Sequence, residues 1–292
     1  MKNILKYYYN LEEVDILNLD NNYLIFDKDD NTYYLYEIDV ENINILNNLN
    51  NKYHKIIFNK YKKNITKIND KNYVLFYINV IINEEVTLNE IISNNINNRI
   101  KNKNISDIVS LWSNKIDYLE YQISELSKDK EEVLNSFSFF IGLAENAISF
   151  ININNINFNN LTKSITHQRL YPNILNIDYY NPLNVLEDYE IRDYSEYIKA
   201  KILKSDDILN DIKLIINDSK LTIDDIKLFY ARLLFPTLYF DVLESVILDE
   251  KKEKNLEIFI DTLPNYLNML KDTYLEIKKS ISIDIPSWIT KN

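Results

Sequence analysis

Ser164–Leu175, with the sequence SITHQRLYPNIL, is the stretch that decides how the rest of the chain is interpreted. It begins as a strand that enters a loop, over Lys163–Arg169. Glu190–Lys199, with the sequence EIRDYSEYIK, follows it and opens a helix that we predict over Ile191–Leu203. Strand-and-loop sequence therefore interrupts the second part of the chain near 160–190, where the flanking sequence is helical.

The sequence on either side of this interruption has helical periodicity. From Ser106 onward, apolar residues recur at steps of four and three, and they are Trp112, Ile116, Leu119, Ile123 and Leu126. A second helix over Glu131–Ile151 would pack against the first, so we expect the apolar residues from Trp112 to Ile123 to be buried. Thr222-x-x-Asp225 has the form of a helix start. Further helices are predicted around 237–249 and 255–280.

The first 80 residues, in contrast, are mainly predicted as strands. Asn22–Phe26 and Thr32–Val40 are rich in aromatic and β-branched residues and flank a turn signal, so they predict a hairpin. Two more strands are predicted over His54–Phe58 and Tyr73–Asn79. Thr87-x-x-Glu90 has the form of a capping box and predicts the start of a helix.

Length and patterning together predict two lobes. The chain has 292 residues, enough for two domains or for one domain with two lobes. Lys101–Asn104 is the predicted boundary, because it is a polar break just before the change to helical periodicity. We expect an α+β fold with a small β-rich N-lobe over 1–103, which includes a connecting helix, and a larger helical C-lobe over 104–292.

Composition excludes many classes of enzyme. The only glycine is Gly142, so a Walker A loop, a G-x-G-x-x-G loop and a G-x-S-x-G elbow are all impossible. The absence of cysteine excludes thiol catalysis, thiolate zinc sites and disulfides. The two histidines, His54 and His167, cannot form a three-histidine metal site. The enrichment in Asn, Ile, Lys and Tyr is typical of an AT-rich genome.

The net charge of −11 argues against a nucleic-acid partner, because binding to a phosphate backbone requires cations. Residues 1–103 carry 13 basic and 14 acidic side chains, and residues 104–292 carry 20 and 30. The basic run Lys60–Lys63 is too short for a nucleic-acid surface. No apolar run approaches the roughly 20 residues that span a bilayer, and the N-terminus lacks a signal-peptide pattern. We therefore expect a cytoplasmic protein without a membrane span.

The order of these elements resembles the protein-kinase-like fold. It is most similar to the aminoglycoside phosphotransferase branch, in the form of the spore coat-associated kinase-like proteins of Gram-positive bacteria. Ser164–Leu175 resembles the H-G-D-L-x-P-x-N-I-L catalytic loop of that branch, and Glu190–Lys199 resembles the helix that begins with Arg-Asp after the metal-binding segment. Three further stretches are similar, namely Glu145–Ala147, Ala231–Glu244 and Ile285–Trp288.

The resemblance implies phosphoryl transfer, but three parts of that chemistry are missing. The reaction needs a carboxylate base, a lysine on the ATP phosphates and metal held by an Asp and an Asn. Arg169 stands at the acidic position of the loop, and a guanidinium cannot accept a proton. The second N-lobe strand has no lysine between 29 and 51, and the N-lobe has no glycine for a phosphate loop. We therefore predict no catalytic residue and regard the loop His167, Arg169 and Asn173 as degenerate.

The remaining candidate residues lie in or after the altered loop. His167 is a buried structural residue or a catalytic base, and we favour the structural role. Asn173 and Asn176 fall near the metal-binding Asn, with the wrong spacing from His167. Asp178 and Asp188 compete for the metal-binding Asp. The resemblance gives a further pair, Arg192 and Asp193, a structural role as an anchor of the loop, with Asp193 buried.

These observations predict a catalytically inactive kinase-like protein that acts as a binding or assembly scaffold. The resemblance implies a protein partner in spore coat or cell-envelope assembly, and no cofactor is expected. The alternative is a divergent small-molecule phosphotransferase that uses Mg·ATP. A hydrolase built on Ser164 or Ser195 is disfavoured, because no glycine forms the turn that presents such a nucleophile. The run Tyr7–Tyr9 is a packed N-terminal strand or a contact patch, and we favour the packed strand.

Overall fold

The computed structural model describes residues 2–12, 14–19, 23–29, 31–50, 54–78, 84–101, 105, 107–126, 131–170, 175, 179–204, 207–248 and 254–290. The chain forms two compact units. The first comprises Met1–Asn98, Ile165–Arg169 and Ile174–Glu187, and the second comprises Arg99–Ser164, Leu170–Asn173 and Asp188–Asn292. The predicted boundary Lys101–Asn104 falls mainly on residues outside those described.

The first unit is built on an antiparallel sheet. Its strands are β1 (Asp15–Leu19), β2 (Tyr23–Lys28), β3 (Asn31–Ile38), β4 (His54–Ile56), β5 (Ile65–Ile68) and β6 (Lys71–Ile78). Their order is β1-β2-β3-β6-β4, and β5 pairs with β6 as well. The predicted hairpin is confirmed, because β2 and β3 pair with Phe26 opposite Tyr33. Strands β1 and β5 lie where the sequence predicted none.

The alternation of side chains along these strands gives the sheet two different faces. One face is the core of the unit, where Leu24, Phe26 and Leu35 are fully buried. The other face carries stacked aromatic rings, with ring centroids 5.2 Å apart for Tyr23 and Tyr36 and 5.4 Å apart for Tyr34 and Phe76. Such cross-strand aromatic pairs stabilise a sheet by roughly 0.2–1 kcal/mol each.

The favoured interpretation of the N-terminus as a strand is wrong. Lys2–Tyr9 is a helix, α1, whose Leu5 is 1% exposed in the core cluster of the sheet. Tyrosine favours strands only weakly, and burial of Leu5 against the sheet outweighs that preference. The first unit also contains α2 (Val40–Asn48) and α3 (Leu88–Asn97). The capping box predicted at Thr87 and Glu90 is present at the start of α3.

The second unit is helical. Its helices are α4 (Ile108–Leu126), α5 (Glu131–Ile153), α6 (Ile191–Leu203), α7 (Leu209–Ile216), α8 (Ile223–Leu234), α9 (Thr237–Leu248), α10 (Glu257–Asp261) and α11 (Leu263–Ile277). A two-stranded sheet of β7 (Lys163–His167) and β8 (Val185–Tyr189) interrupts the helical sequence where strand and loop were predicted. The α+β fold, with a small β-rich part and a larger helical part, is confirmed.

The core of the helical unit lies along α4, α5 and α8, because α5 contacts both α4 and α8. Leu119 is 0% exposed, and the predicted burial of Trp112, Ile116 and Ile123 is confirmed. Among the described residues, one helical segment, Ser136–Ile153 of α5, is long and apolar enough to cross a membrane. A core helix has the same length and composition, and α5 buries Leu143, Ala147 and Phe150 inside this unit.

A hydrogen-bonded junction joins β7 to the helices that follow it. The predicted capping box at Thr222 and Asp225 is present at the start of α8. The carboxylate of Asp225 also accepts bonds from the backbone N–H of Thr162 at 2.8 Å and from the Thr162 hydroxyl at 2.7 Å. The carbonyl of Thr162 in turn accepts from the N–H of Glu190 at 2.9 Å. The start of β7 is therefore held to the N-terminal ends of both α8 and α6.

Candidate functional site

Two of the predicted residues lie at the end of β7, where His167 is the last strand residue and Arg169 follows it in the loop, and both belong to the first unit. His167 is 3% exposed, and its ring stacks on Tyr179 with centroids 4.0 Å apart. Arg169 is half-buried, and its Nη1 donates to the carbonyl oxygen of Gln168 at 2.7 Å. The favoured structural interpretation of His167 agrees with this packing. At Arg169 the loop presents a fixed positive charge, where phosphoryl transfer requires a carboxylate.

Three other predicted residues of this region lie outside the described residues. They are Asn173, Asn176 and Asp178. Nearby, Leu175 forms an isolated antiparallel bridge with Glu85, which lies just before α3. Of the two candidates for the metal-binding Asp, only Asp188 lies within the described residues.

Asp188 lies near the end of β8 in the second unit and is 7% exposed. Its Oδ1 accepts from the N–H of Tyr189 at 2.7 Å and from Arg232 Nη2 at 2.9 Å. Its Oδ2 accepts from Arg192 Nη1 at 2.8 Å and from Arg232 Nη2 at 2.9 Å. A carboxylate has about four lone-pair positions, so four hydrogen bonds occupy all of them.

The charges around Asp188 explain how a carboxylate can be buried here. Burial alone would raise the pKa of Asp188, but Arg232 and Arg192 lower it below the ordinary value. Burial lowers the pKa of Arg232, and the Asp188 carboxylate opposes that effect. Because a charge buried without a partner is costly, the three side chains depend on one another.

This arrangement does not fit a divalent metal ion. A metal would have to displace at least one guanidinium contact from an oxygen of Asp188, which would weaken the ion pair with that arginine. Arg232 is only 7% exposed, so its loss of the carboxylate would leave a buried charge uncompensated. Within the described residues there is also no group of three or more His, Cys, Asp or Glu side chains that could hold a metal ion. Asp188 is therefore an ion-pair residue in this structure.

Arg232 is the member of this cluster that sequence reasoning missed. It lies in α8, 44 residues beyond Asp188. A signal was present, since Arg232 stands between Ala231 and Leu233, both of which are buried. A charge on a buried helical segment requires a partner, although the sequence does not say which one.

The predicted anchor Arg192–Asp193 begins α6. Arg192 joins that helix to β8 through Asp188, as described above. Asp193 is 0% exposed, in agreement with the expected burial. At the residue before α6's first turn, Glu190 is also fully buried and accepts from Arg99 Nε at 2.6 Å and Nη2 at 3.0 Å. The hydroxyl of Tyr194 donates to the same carboxylate at 2.6 Å, so the start of α6 is fixed by two separate ion pairs.

The first unit has tyrosines on the strand where a kinase site has its phosphate-binding lysine. The resemblance places a lysine for the ATP phosphates on β3. There the aromatic face of the sheet presents Tyr34 and Tyr36, which are half-buried. A tyrosine supplies one hydroxyl and no positive charge at neutral pH. The hydrolase alternative is also disfavoured. Ser195 is buried, and its hydroxyl donates to the carbonyl of Arg192 at 2.8 Å.

Two solved structures share this fold. An aminoglycoside phosphotransferase from Alicyclobacillus acidocaldarius matches with a TM-score of 0.70 and 11% identity, over 94% of this chain and 95% of its own. A spectinomycin phosphotransferase, solved with ADP and spectinomycin, matches with a TM-score of 0.55 and 11% identity, over 96% and 93%. At this level of identity the likeness establishes the kinase-like fold of the aminoglycoside phosphotransferases.

Sequence comparison identifies a relative that is named as coat-associated. The "Endospore coat-associated protein YutH" of Bacillus subtilis is 24% identical over 194 residues, which cover 54% of this chain. The match spans 56% of that protein, a little over half of its length. The family described as "Spore coat putative kinase YutH" matches residues 2–279, nearly the whole chain. The chain therefore belongs to this family of spore coat kinase-like proteins.

Proposed function

We propose that this chain is a catalytically inactive kinase-like protein that serves as a binding or assembly scaffold of the spore coat. The observation that carries the proposal is the carboxylate of Asp188, whose four hydrogen bonds come from Arg232, Arg192 and the N–H of Tyr189. A group that binds two guanidiniums in this way is part of the fold. It is not available as a ligand for Mg²⁺.

The rest of the phosphate site supports the same conclusion. ATP is ordinarily held by a glycine loop, by a lysine and by metal ions on an Asp and an Asn. Arg169 is the one cation that the altered catalytic loop contributes. A charge-assisted hydrogen bond from a single arginine contributes about 1.5–3 kcal/mol, whereas micromolar affinity requires about 8 kcal/mol. The shortfall is too large for useful binding of Mg·ATP.

The family supports a proposal for the setting of the scaffold. The Bacillus subtilis relative is named as an endospore coat-associated protein. By extension we place this chain in the cytoplasm of the cell that assembles the coat, in contact with a protein partner there. Kinase-like folds present a large surface that does not depend on catalysis, so loss of the chemistry leaves a binding role intact.

Titration calorimetry with Mg·ATP tests the catalytic part of this proposal. Wild type, Arg169→Asp and the surface control Lys220→Gln should all fail to bind with a Kd below about 1 mM, which corresponds to about 4.1 kcal/mol. Lys220→Gln removes a positive charge at an exposed position of the second unit. Arg169→Asp restores the look of a catalytic acid but removes the nearby cation, so it should not produce phosphotransfer.

Two outcomes would overturn the inactive interpretation. Micromolar binding of Mg·ATP by wild type, lost in Arg169→Asp and kept in Lys220→Gln, would favour the divergent small-molecule phosphotransferase. Phosphotransfer by Arg169→Asp would show that the catalytic base was the only part of the site that wild type lacked.

The scaffold role is tested in the source organism. There, Arg169→Asp should leave the protein composition of the coat as in wild type, and deletion of the chain should change it. If both strains show the same defect, the loop has a chemical role.

A further inference from the structure

Two short sequence motifs that lie far apart in the chain form one exposed surface on the first unit. Tyr7 of α1 is 57% exposed, and the loop between β4 and β5 adds Phe58 at 63% and Tyr61 at 58%. We call this surface the tyrosine–lysine patch, and it comprises Tyr7, Phe58, Lys60, Tyr61, Lys62 and Lys63. Its three aromatic side chains offer roughly 300–400 Å² of accessible ring surface. An apolar patch of that size is among the largest on an ordinary monomer and often marks a binding site.

The tyrosine–lysine patch is held in shape before any partner binds. Asn59 is 6% exposed, and its Oδ1 accepts from the N–H groups of Tyr61 at 2.9 Å and Lys63 at 3.1 Å. The N–H of Lys60 donates to the carbonyl of Tyr8 at 2.7 Å, which ties the loop to α1. Lys62 has a φ of 59°, a left-handed conformation that a lysine rarely adopts. A surface that is ordered in advance loses less entropy when it binds.

Cation–ring contacts complete this order. Lys60 Nζ lies 3.1 Å from the ring centroid of Tyr7 and 5.2 Å from that of Tyr61. A hydrogen bond from Tyr61 and the nearby Lys60 lower the pKa of Tyr7. The result is a rigid surface of aromatic rings among three lysines, in a chain whose net charge is −11.

A surface of opposite character lies on α4 of the second unit. Leu111 is 54% exposed, Tyr118 is 46% exposed and Tyr121 is 65% exposed. At about 3.6 residues per turn, Tyr121 lies nearly opposite the buried Leu119, and Leu111 and Tyr118 lie about a quarter turn from it on one flank. Two exposed acids, Asp117 and Glu120, continue this exposed half of α4 on the other side of Tyr121. We call these five residues the α4 outer face. Lys115 is the basic residue nearest in sequence, and its charge is matched by Glu244 at 2.6 Å.

We propose that the tyrosine–lysine patch of one copy of this chain binds the α4 outer face of a second copy. Each surface offers aromatic rings, and their charges are opposite. The wider charge distribution favours the same partner, since residues 1–103 have 13 basic and 14 acidic side chains and residues 104–292 have 20 and 30. Complementary charge gives such a contact its orientation and suppresses other arrangements.

Because the two surfaces differ, the contact is heterologous and joins copies head to tail. Each added copy leaves one surface of each kind available, so the assembly grows as an open chain unless its geometry closes. The surfaces are smaller than the roughly 1,200 Å² of total area buried by stable interfaces. We therefore expect a weak contact that needs a high protein concentration and is sensitive to salt. The contact would supply a scaffold with a way to extend, but its test uses no nucleotide and can fail or succeed separately from the proposed function.

Sedimentation velocity of the full chain tests the contact. The weight-average sedimentation coefficient of wild type should rise with concentration and fall when ionic strength increases from about 0.01 M to about 1 M, which shortens the Debye length from about 30 Å to about 3 Å. Lys62→Glu with Lys63→Glu should weaken association at least about tenfold, and so should Asp117→Lys with Glu120→Lys, because each pair opposes like charges. Lys220→Glu with Lys254→Glu makes the same change in net charge as Lys62→Glu with Lys63→Glu, at exposed positions of the second unit that belong to neither surface, and should associate like wild type.

The decisive sample is an equal mixture of the two weakened variants. Each variant repels its own kind, but the acidic patch of one matches the basic α4 face of the other, so the mixture should regain association with alternating copies. A wild type that stays monomeric, a control that weakens as much as the surface variants, or a mixture that stays dissociated would each overturn the proposal. If wild type stays monomeric but binds a poly-glutamate peptide through Lys62 and Lys63, the patch serves an acidic segment of another protein instead.

Discussion

Replacement of Arg232 by methionine should destabilise the second unit strongly. Arg232→Met removes two of the four hydrogen bonds that reach the Asp188 carboxylate, at 2.9 Å each. Arg192 and the N–H of Tyr189 remain, but the side chain of Asp188 is 10% exposed and keeps an incompletely compensated negative charge. Removing one partner of a buried ion pair costs about 3–5 kcal/mol. We expect a loss in this range from the free energy of unfolding at pH 7.

The double variant separates an uncompensated charge from lost packing. Asp188→Leu with Arg232→Met replaces both partners by apolar groups of similar size, a change that is often neutral or stabilising. Its loss should therefore be smaller than that of Arg232→Met alone, with a coupling energy of about 2–3 kcal/mol. Arg192→Met is the matched control. Its side chain is 16% exposed, and it gives only one of the four bonds, so its loss should be about 1.5–3 kcal/mol, below that of Arg232→Met.

Urea unfolding followed by tryptophan fluorescence measures these losses in the appropriate unit. Both tryptophans, Trp112 and Trp288, belong to the second unit. Trp112 is 8% exposed and stacks on Phe235 with ring centroids 4.3 Å apart, so its emission should change when the unit unfolds. A loss below about 1 kcal/mol for Arg232→Met, or a double variant whose loss equals the sum of the single losses, would refute the interdependence of the ion pairs.

The pH dependence gives a second readout of the same cluster. The arginines hold the pKa of Asp188 below its ordinary value, so its contribution to wild-type stability is present above about pH 3.9 and is lost as the pH falls through the lower folded value. In Arg232→Met, burial should raise the pKa of Asp188 instead, and protonation then favours the folded state. The loss caused by this variant should therefore shrink between about pH 7 and about pH 5, where the contribution of Asp188 to wild type is constant.

Two further substitutions test the helical unit. Leu119→Ala should cost about 2–5 kcal/mol in urea unfolding through lost burial and a cavity, whereas Tyr118→Ala, at a position 46% exposed, should stay within about 0.5 kcal/mol. Asp193→Asn should cost about 1–3 kcal/mol because the side chain is fully buried at the start of α6. The control Asp272→Asn, at an exposed position, should change stability little. Equal effects of the two variants would contradict the anchoring role of Asp193.

The parts of the fold that could be predicted are those specified by local sequence. The periodicity around Leu119 identified α4, and the side chains of Thr87 and Thr222 accept the cap bonds that their spacing predicted. Helix α1 was missed because local preference misleads there. Its tyrosines favour strands, and the helix is held by burial of Leu5 against residues that come later in the chain. Long-range burial of this kind leaves no local signature.

The candidate site shows the same division. The loop sequence was enough to show that Arg169 cannot act as a base, because a guanidinium stays protonated in proteins whatever surrounds it. The role of Asp188 could not be read in this way. A carboxylate near the metal-binding position is a metal ligand or an ion-pair residue according to what faces it, and the residue that faces it, Arg232, is 44 residues away on another element.

The two arginines compensate the charge of a carboxylate that is buried in this kinase-like fold. A buried carboxylate needs positive charge nearby, and a divalent metal supplies +2 where a phosphotransferase binds its nucleotide. At Asp188 the guanidiniums of Arg192 and Arg232 together carry the same +2 and are part of the chain. The ion pairs are present whether or not a ligand is bound, so they stabilise the junction of β8, α6 and α8 at all times. The same contacts therefore stabilise the helical unit without a ligand, as the proposed scaffold role would require.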